Sequence, residues 1–107
     1  MANSAQTALD LLVLTVLDRR GPLHGYGIAN AIENLSDDAL RIDEGSLYPA
    51  LHRMEEIAWI SASWTVTENK RHARVYRLTR AGKKQLASET ERWTNLSSAV
   101  ARVLRHA

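Results

Sequence analysis

The sequence predicts a mainly helical fold with one two-stranded β-hairpin, carried on by a long C-terminal helix. Three observations predict it. Apolar side chains recur at steps of three and four through residues 4–19, 24–35 and about 43–57, the helical period. Beyond Trp59 the period drops to two in two short stretches around a polar turn, the mark of half-buried strands. From Arg80 a seven-residue apolar repeat runs toward the C-terminus.

Each element has a local reason. In the first helix Leu9, Leu12, Val13, Val16 and Leu17 form one stripe, with Leu11 and Leu14 on a second flank. A helix apolar around so much of its girth has more than one neighbour. Ser4 or Thr7 can cap its start, Arg19 and Arg20 suit the negative end of its dipole, and Gly21-Pro22 stops it. The second helix turns Ile28, Ala31, Ile32 and Leu35 inward and ends at Ser36-Asp37-Asp38. Gly25 and Gly27 in its first turn cost helix propensity, which points to a backbone or a phosphate passing close.

The third helix begins near Asp43 or Gly45, with Asp43, Glu44 and Ser46 as caps. Leu47, Leu51, Met54 and Ile57 are its buried stripe, and Pro49 falls in the first turn if the helix starts near Leu47. Ile60, Ala62, Trp64 and Val66 then alternate with Ser61, Ser63, Thr65 and Thr67. A polar turn over 68–72 leads to a second strand with Val75, Tyr76 and Leu78. Thr79 caps the last helix, about 80–105, where Leu86, Trp93 and Val100 repeat at seven and Leu96 and Val103 lie three further on. Such a helix is roughly 40 Å long at 1.5 Å per residue. It overshoots so small a domain, and its distal half needs a partner.

With 107 residues, 45% hydrophobic and 24% charged, the chain supports one globular core. The absence of cysteine excludes disulfides, a thiol nucleophile and cysteine-based metal sites, and fits a cytoplasmic location. The longest apolar run, 11–17, is too short to span a bilayer, and no signal-like segment precedes it. His24, His52, His72 and His106 lack metal-binding spacing, and no phosphate-cradling glycine loop or framed nucleophile is present. An enzyme, a metal and a cofactor are therefore not expected. The net charge of +2 hides a division: residues 1–69 carry four basic against ten acidic side chains, net −6, and residues 70–107 carry ten against two, net +8. Seven Lys/Arg and no acid lie between Lys70 and Lys84, which suits a polyanion and equally an ordinary solvated face.

Helix, helix, helix, hairpin, helix is the winged helix-turn-helix plan with a C-terminal extension, in which the third helix enters the major groove and the wing lies beside it. The chain also resembles the PadR family of bacterial transcriptional regulators, in its short form. The resemblance rests on LVLTVL (12–17), GPLHGYGI (21–28), EGSLYPALHRME (44–55), the Trp64 strand and RVYRLTRAG (74–82), and spans about residues 8–86. It implies a homodimeric repressor meeting two half-sites of a palindrome on double-stranded DNA. It divides the chain into a DNA-binding domain, 1–80, and a dimerisation helix, 81–107, packed against the partner's N-terminal helix. Stopping at Ala107 is expected to leave the minimal dimer arm. The dimer interface implied is Leu9, Leu12, Val13, Leu86, Trp93, Leu96, Val100 and Val103.

Two readings accompany each site residue. Ser46, Tyr48 and Pro49 either meet DNA or simply shape a helix start. His52 and Arg53 either read bases or phosphates, or Arg53 pairs with Glu55 or Glu56. Asn69, Lys70, Arg71 and Arg74 either hold phosphates or form a charged hairpin tip, while Arg80, Lys83 and Lys84 lie beyond the wing. Tyr26, with His24 and Gly25, either borders a phosphate at a helix N-terminus or packs in a tight turn. Trp93 is interface core or, as some relatives imply, a contact for a small apolar or aromatic effector. The expected function is a sequence-specific regulator, a repressor relieved by an effector. The alternative is a winged-helix module that binds protein rather than specific DNA.

Overall fold

The computed structural model describes residues 4–107, with side chains from residue 8 onward; the caps expected at Ser4 or Thr7 fall outside those side chains. The elements in order are α1 (Ser4–Arg20), β1 (Leu23–His24), α2 (Gly25–Leu35), α3 (Glu44–Glu56), β2 (Ile60–Val66), β3 (His72–Leu78) and α4 (Arg80–His106). Helix α1 is the hub: it touches α2, α3, α4 and β3, as its wide apolar girth requires. Val13, Leu14, Val16 and Leu17 meet Ile28, Ile32, Leu47, Leu51, Met54, Ile60 and Tyr76 in one core.

The sheet has three strands rather than the two of the expected hairpin, in the order β1-β3-β2 and antiparallel throughout. Leu23 pairs with Tyr76 and His24 with Val75. Two residues are too few to show a period, so this strand exists only through its pairing. It ties the start of α2 to the base of the wing.

The helix ends follow local chemistry. Gly21 takes φ +83° after α1 and its N–H donates to the Leu17 carbonyl. His24 lies before α2 as its N-cap, with Nδ1 accepting from the Gly27 N–H at 2.9 Å. Asp43 caps α3 by accepting from the Ser46 N–H at 2.8 Å. Because α3 starts at Glu44, Pro49 lies in its second turn rather than its first, and the Gly45 carbonyl loses its helical donor. Leu35 and Ile57, expected inside, are exposed: each stands at a helix C-terminus that has already left the core. Thr79 caps α4 through the Gly82 N–H.

Helix α4 packs on α1 through its first half only, where Gly82 and Glu89 are buried and Leu86 is partly so. Beyond Arg92 its apolar seam is open, with Trp93, Leu96, Val100, Val103 and Leu104 exposed. The molecule is accordingly elongated, 57 × 29 × 23 Å. No helix among the described residues is long and apolar enough to cross a membrane.

Candidate nucleic-acid interface

Helix α3 divides its residues cleanly. Leu47, Ala50, Leu51 and Met54 are buried, which turns Tyr48, Pro49, His52 and Glu56 to solvent. Ser46 is also exposed, but its hydroxyl leans back on the Asp43 carboxylate at 3.2 Å. His52 Nε2 lies 3.0 Å from Glu56 Oε1, one turn along the same face.

Tyr48 is placed by a glycine. A β-carbon on Gly25 would stand 2.9 Å from the Tyr48 ring and 3.0 Å from its hydroxyl. What passes close to Gly25 within the protomer is therefore an aromatic ring rather than backbone. The contact sets the Tyr48 hydroxyl beside the first turn of α2. Tyr26 projects from that turn, exposed, with its ring 6.2 Å from that of His24.

The wing completes the cleft. At its tip the Lys70 N–H donates to the Thr67 carbonyl, and the Thr67 N–H to the Arg71 carbonyl. Lys70 takes φ 60°, so the tip is a tight turn with one residue in the left-handed region. Asn69, Lys70 and Arg71 are all exposed there. Between the wing, the α2 N-terminus and Tyr48 lies an open cleft of about 770 Å³, lined among others by Thr67, Asn69, Arg71, His72, Arg74 and Tyr76. Burial pushes the Tyr76 phenol above its ordinary value, partly offset by the nearby Arg74 guanidinium, so burial holds it as a neutral hydroxyl.

Two expected phosphate or base contacts have partners within the protomer. Arg53 donates to both carboxylate oxygens of Asp10 on α1, at 2.5 and 2.6 Å, and not to Glu55 or Glu56. Arg74 pairs with Glu55 on α3 at 2.6 Å and lies 5.9 Å from the Trp64 ring centre. Register explains the second case: Trp64 and Arg74 are directly opposed across β2 and β3, and that face turns toward the end of α3. Arg74 thus fastens the wing to α3, whereas Arg71 carries the exposed charge.

The expected dimer residues separate in the same way. Val13 is fully buried in the protomer's own core and has no surface to offer a second chain. Leu9, Leu12 and Leu86 are partly buried against that core. Trp93, Leu96, Val100 and Val103 form the open seam. Trp93, Leu40, Ala8, Leu11 and Leu12 line a small, almost wholly apolar hollow of about 210 Å³ between α1 and α4.

The sequence reading missed Asp10 and Glu89, and offered Glu55 to Arg53 where the structure gives it to Arg74. Asp10 lies inside an apolar run, and its partner is 43 positions away, so no local pattern announces it. Glu89 is buried on α4, accepts from Gln85 and lies 3.6 Å from Arg92, with its second oxygen unpartnered. A polar residue on the inner face of an otherwise apolar helix was the one signal available. No group of metal-ligating side chains is found among the described residues.

Known proteins share this arrangement. The chain is 40% identical over 90 residues to a 37.1 kDa protein of unassigned function from a Streptomyces fradiae transposon, spanning 84% of this chain but only 24% of that one. A transcriptional regulator from Clostridium thermocellum superposes with a TM-score of 0.83 at 26% identity, covering 94% of this chain and 97% of its own. Bacillus subtilis PadR, solved in complex with operator DNA, superposes with a TM-score of 0.67 at 26% identity, over 76% of this chain and 45% of its own. The model of the transcriptional regulator PadR-like family matches residues 13–88, from the core of α1 to the first half of α4. The chain belongs to the PadR-like family of transcriptional regulators.

Proposed function

We propose that the protein is a repressor that binds a palindromic operator as a homodimer. The observation that carries the reading is the cleft itself. Tyr48, the α2 N-terminus and the Arg71 wing tip converge on one opening, beside the exposed face of α3. Its donors suit a phosphate backbone, while Tyr48, Pro49 and His52 face the groove edges. The likeness to PadR bound to operator DNA supports the same assignment.

The open seam of α4 supplies the second half. A second chain covering Trp93, Leu96, Val100 and Val103 would remove exposed apolar surface and set two α3 helices on one duplex. In that assembly 1–80 reads DNA and 81–107 pairs the protomers. The hollow at Trp93 is where a small apolar or aromatic effector would enter and shift the spacing of the reading heads.

Selection of bound duplexes from a random pool tests the proposal. A two-fold symmetric consensus, bound by a species of dimer mass, is the expected result. Binding without preference over random duplex would return the chain to the protein-binding alternative.

A further inference from the structure

We propose that Asp10 is a positioning residue for the recognition helix, setting the pose of α3 against the α1–α4 platform that carries the dimer seam. The inference rests on the DNA-reading function proposed above. Arg53 stands one turn after Pro49 and next to His52, so its side chain marks the rotation of the face that reads DNA. That side chain is gripped by both oxygens of a single carboxylate on α1. Both oxygens close on one nitrogen, Nη2, a short charge-assisted contact that pins the end of the Arg53 side chain to α1.

The grip sits where three helices meet. Asp10 is almost fully buried on α1, Arg53 comes from α3, and the buried Glu89 of α4 is near enough to bear on the Asp10 carboxyl. The hollow that contains Trp93 begins at the next residue of α1, Leu11, and takes in Ala8 and Leu12.

The carboxylate is a costly way to hold two helices together. Burial raises the Asp10 carboxyl above its ordinary value in spite of Arg53, so ionisation is opposed by the fold. A buried ion pair contributes little net stability and is better suited to fixing one geometry. Removing one partner does cost stability, so the role assigned to Asp10 is read from the ratio of two affinities of the folded variant.

The test uses the full chain and fluorescence-polarisation titrations at one salt concentration, against the selected duplex and a scrambled duplex of equal length. Asp10→Asn keeps the shape and loses the charge. It is expected to lower the preference for the selected duplex by about tenfold, the worth of one mis-seated base pair, while scrambled-duplex affinity and cooperative melting persist. If Asp10→Asn does not fold, Arg53→Met takes its place: the stem keeps its bulk but has no donor for the carboxylate, and the same loss of preference is expected. An unchanged preference, or an equal fall in both affinities, overturns the positioning role. A wild-type chain with no preference to lose overturns the DNA-reading function first, and this role with it.

Discussion

The Trp59 carbonyl oxygen occupies the place where a β-carbon on Gly82 would stand. The same carbonyl accepts from the Thr79 N–H at 3.1 Å and from its hydroxyl at 2.9 Å. The first turn of α4 is thereby clamped to the link between α3 and β2, at the base of the wing. Because the obstructing atom is backbone, it cannot swing aside. Gly82→Ala is expected to cost about 3 kcal/mol or more, in the range of overpacked cores. Thermal unfolding would show it, and a change under about 1 kcal/mol would mean that the clamp yields.

Ala58 offers the opposite opportunity. The Trp59 N–H donates to the Met54 carbonyl and the Ala58 N–H to that of Glu55, a Schellman ending for α3. Ala58 holds the left-handed position, φ 65°, where a β-carbon costs about 1 kcal/mol. Ala58→Gly is expected to stabilise the domain by up to about that amount, read as a higher midpoint in urea at unchanged slope.

At Gly25 the crowding atoms belong to the exposed ring of Tyr48, which can move. Gly25→Ala is therefore expected to displace the ring from the α2 N-terminus with little loss of stability. Duplex affinity would fall about tenfold or more, comparable with Tyr48→Phe, since each removes about one hydrogen bond to a charged group. A variant that binds as wild type would exclude the tyrosine from the interface.

Asp10 gives a pH signature. Its folded-state value is raised, with burial the leading cause, so the folded chain binds more protons than the unfolded one between the two values. Its contribution to stability is full below the ordinary aspartate value and is lost as pH rises through the folded one. Subtracting the melting curve of Asp10→Asn from that of wild type, across pH 3–7, is expected to show wild type falling relative to the variant as pH rises. A difference rising with pH would mean that Arg53 outweighs burial.

The wing tip carries the salt dependence. Lys70→Ala and Arg71→Ala are each expected to reduce the slope of log affinity against log salt by about one, if each releases one phosphate contact. Arg74 is tied to Glu55, so Arg74→Ala is expected to act on the pose of the wing and change the slope less.

Much of this was legible in the residues alone, because helix periods, caps and stop signals are properties of neighbours in the chain. The apolar stripes placed α1 to α4, Asp43 and Thr79 marked two helix starts, and the charge division singled out the wing. The unfinished apolar seam of α4 could also be read, since a helix of that length outruns a core of this size. Tertiary structure decided the rest. Two arginines of identical chemistry, Arg53 and Arg71, part company because one meets a buried carboxylate 43 positions away and the other meets solvent. Strand β1 is too short to carry a pattern and exists by pairing with β3. Val13 shares its spacing with Leu9 and Leu12 yet is sealed in the protomer. Periodicity names the face a residue occupies. Which partner covers that face is a matter of long-range packing, and it is there that the charge available to a ligand is settled.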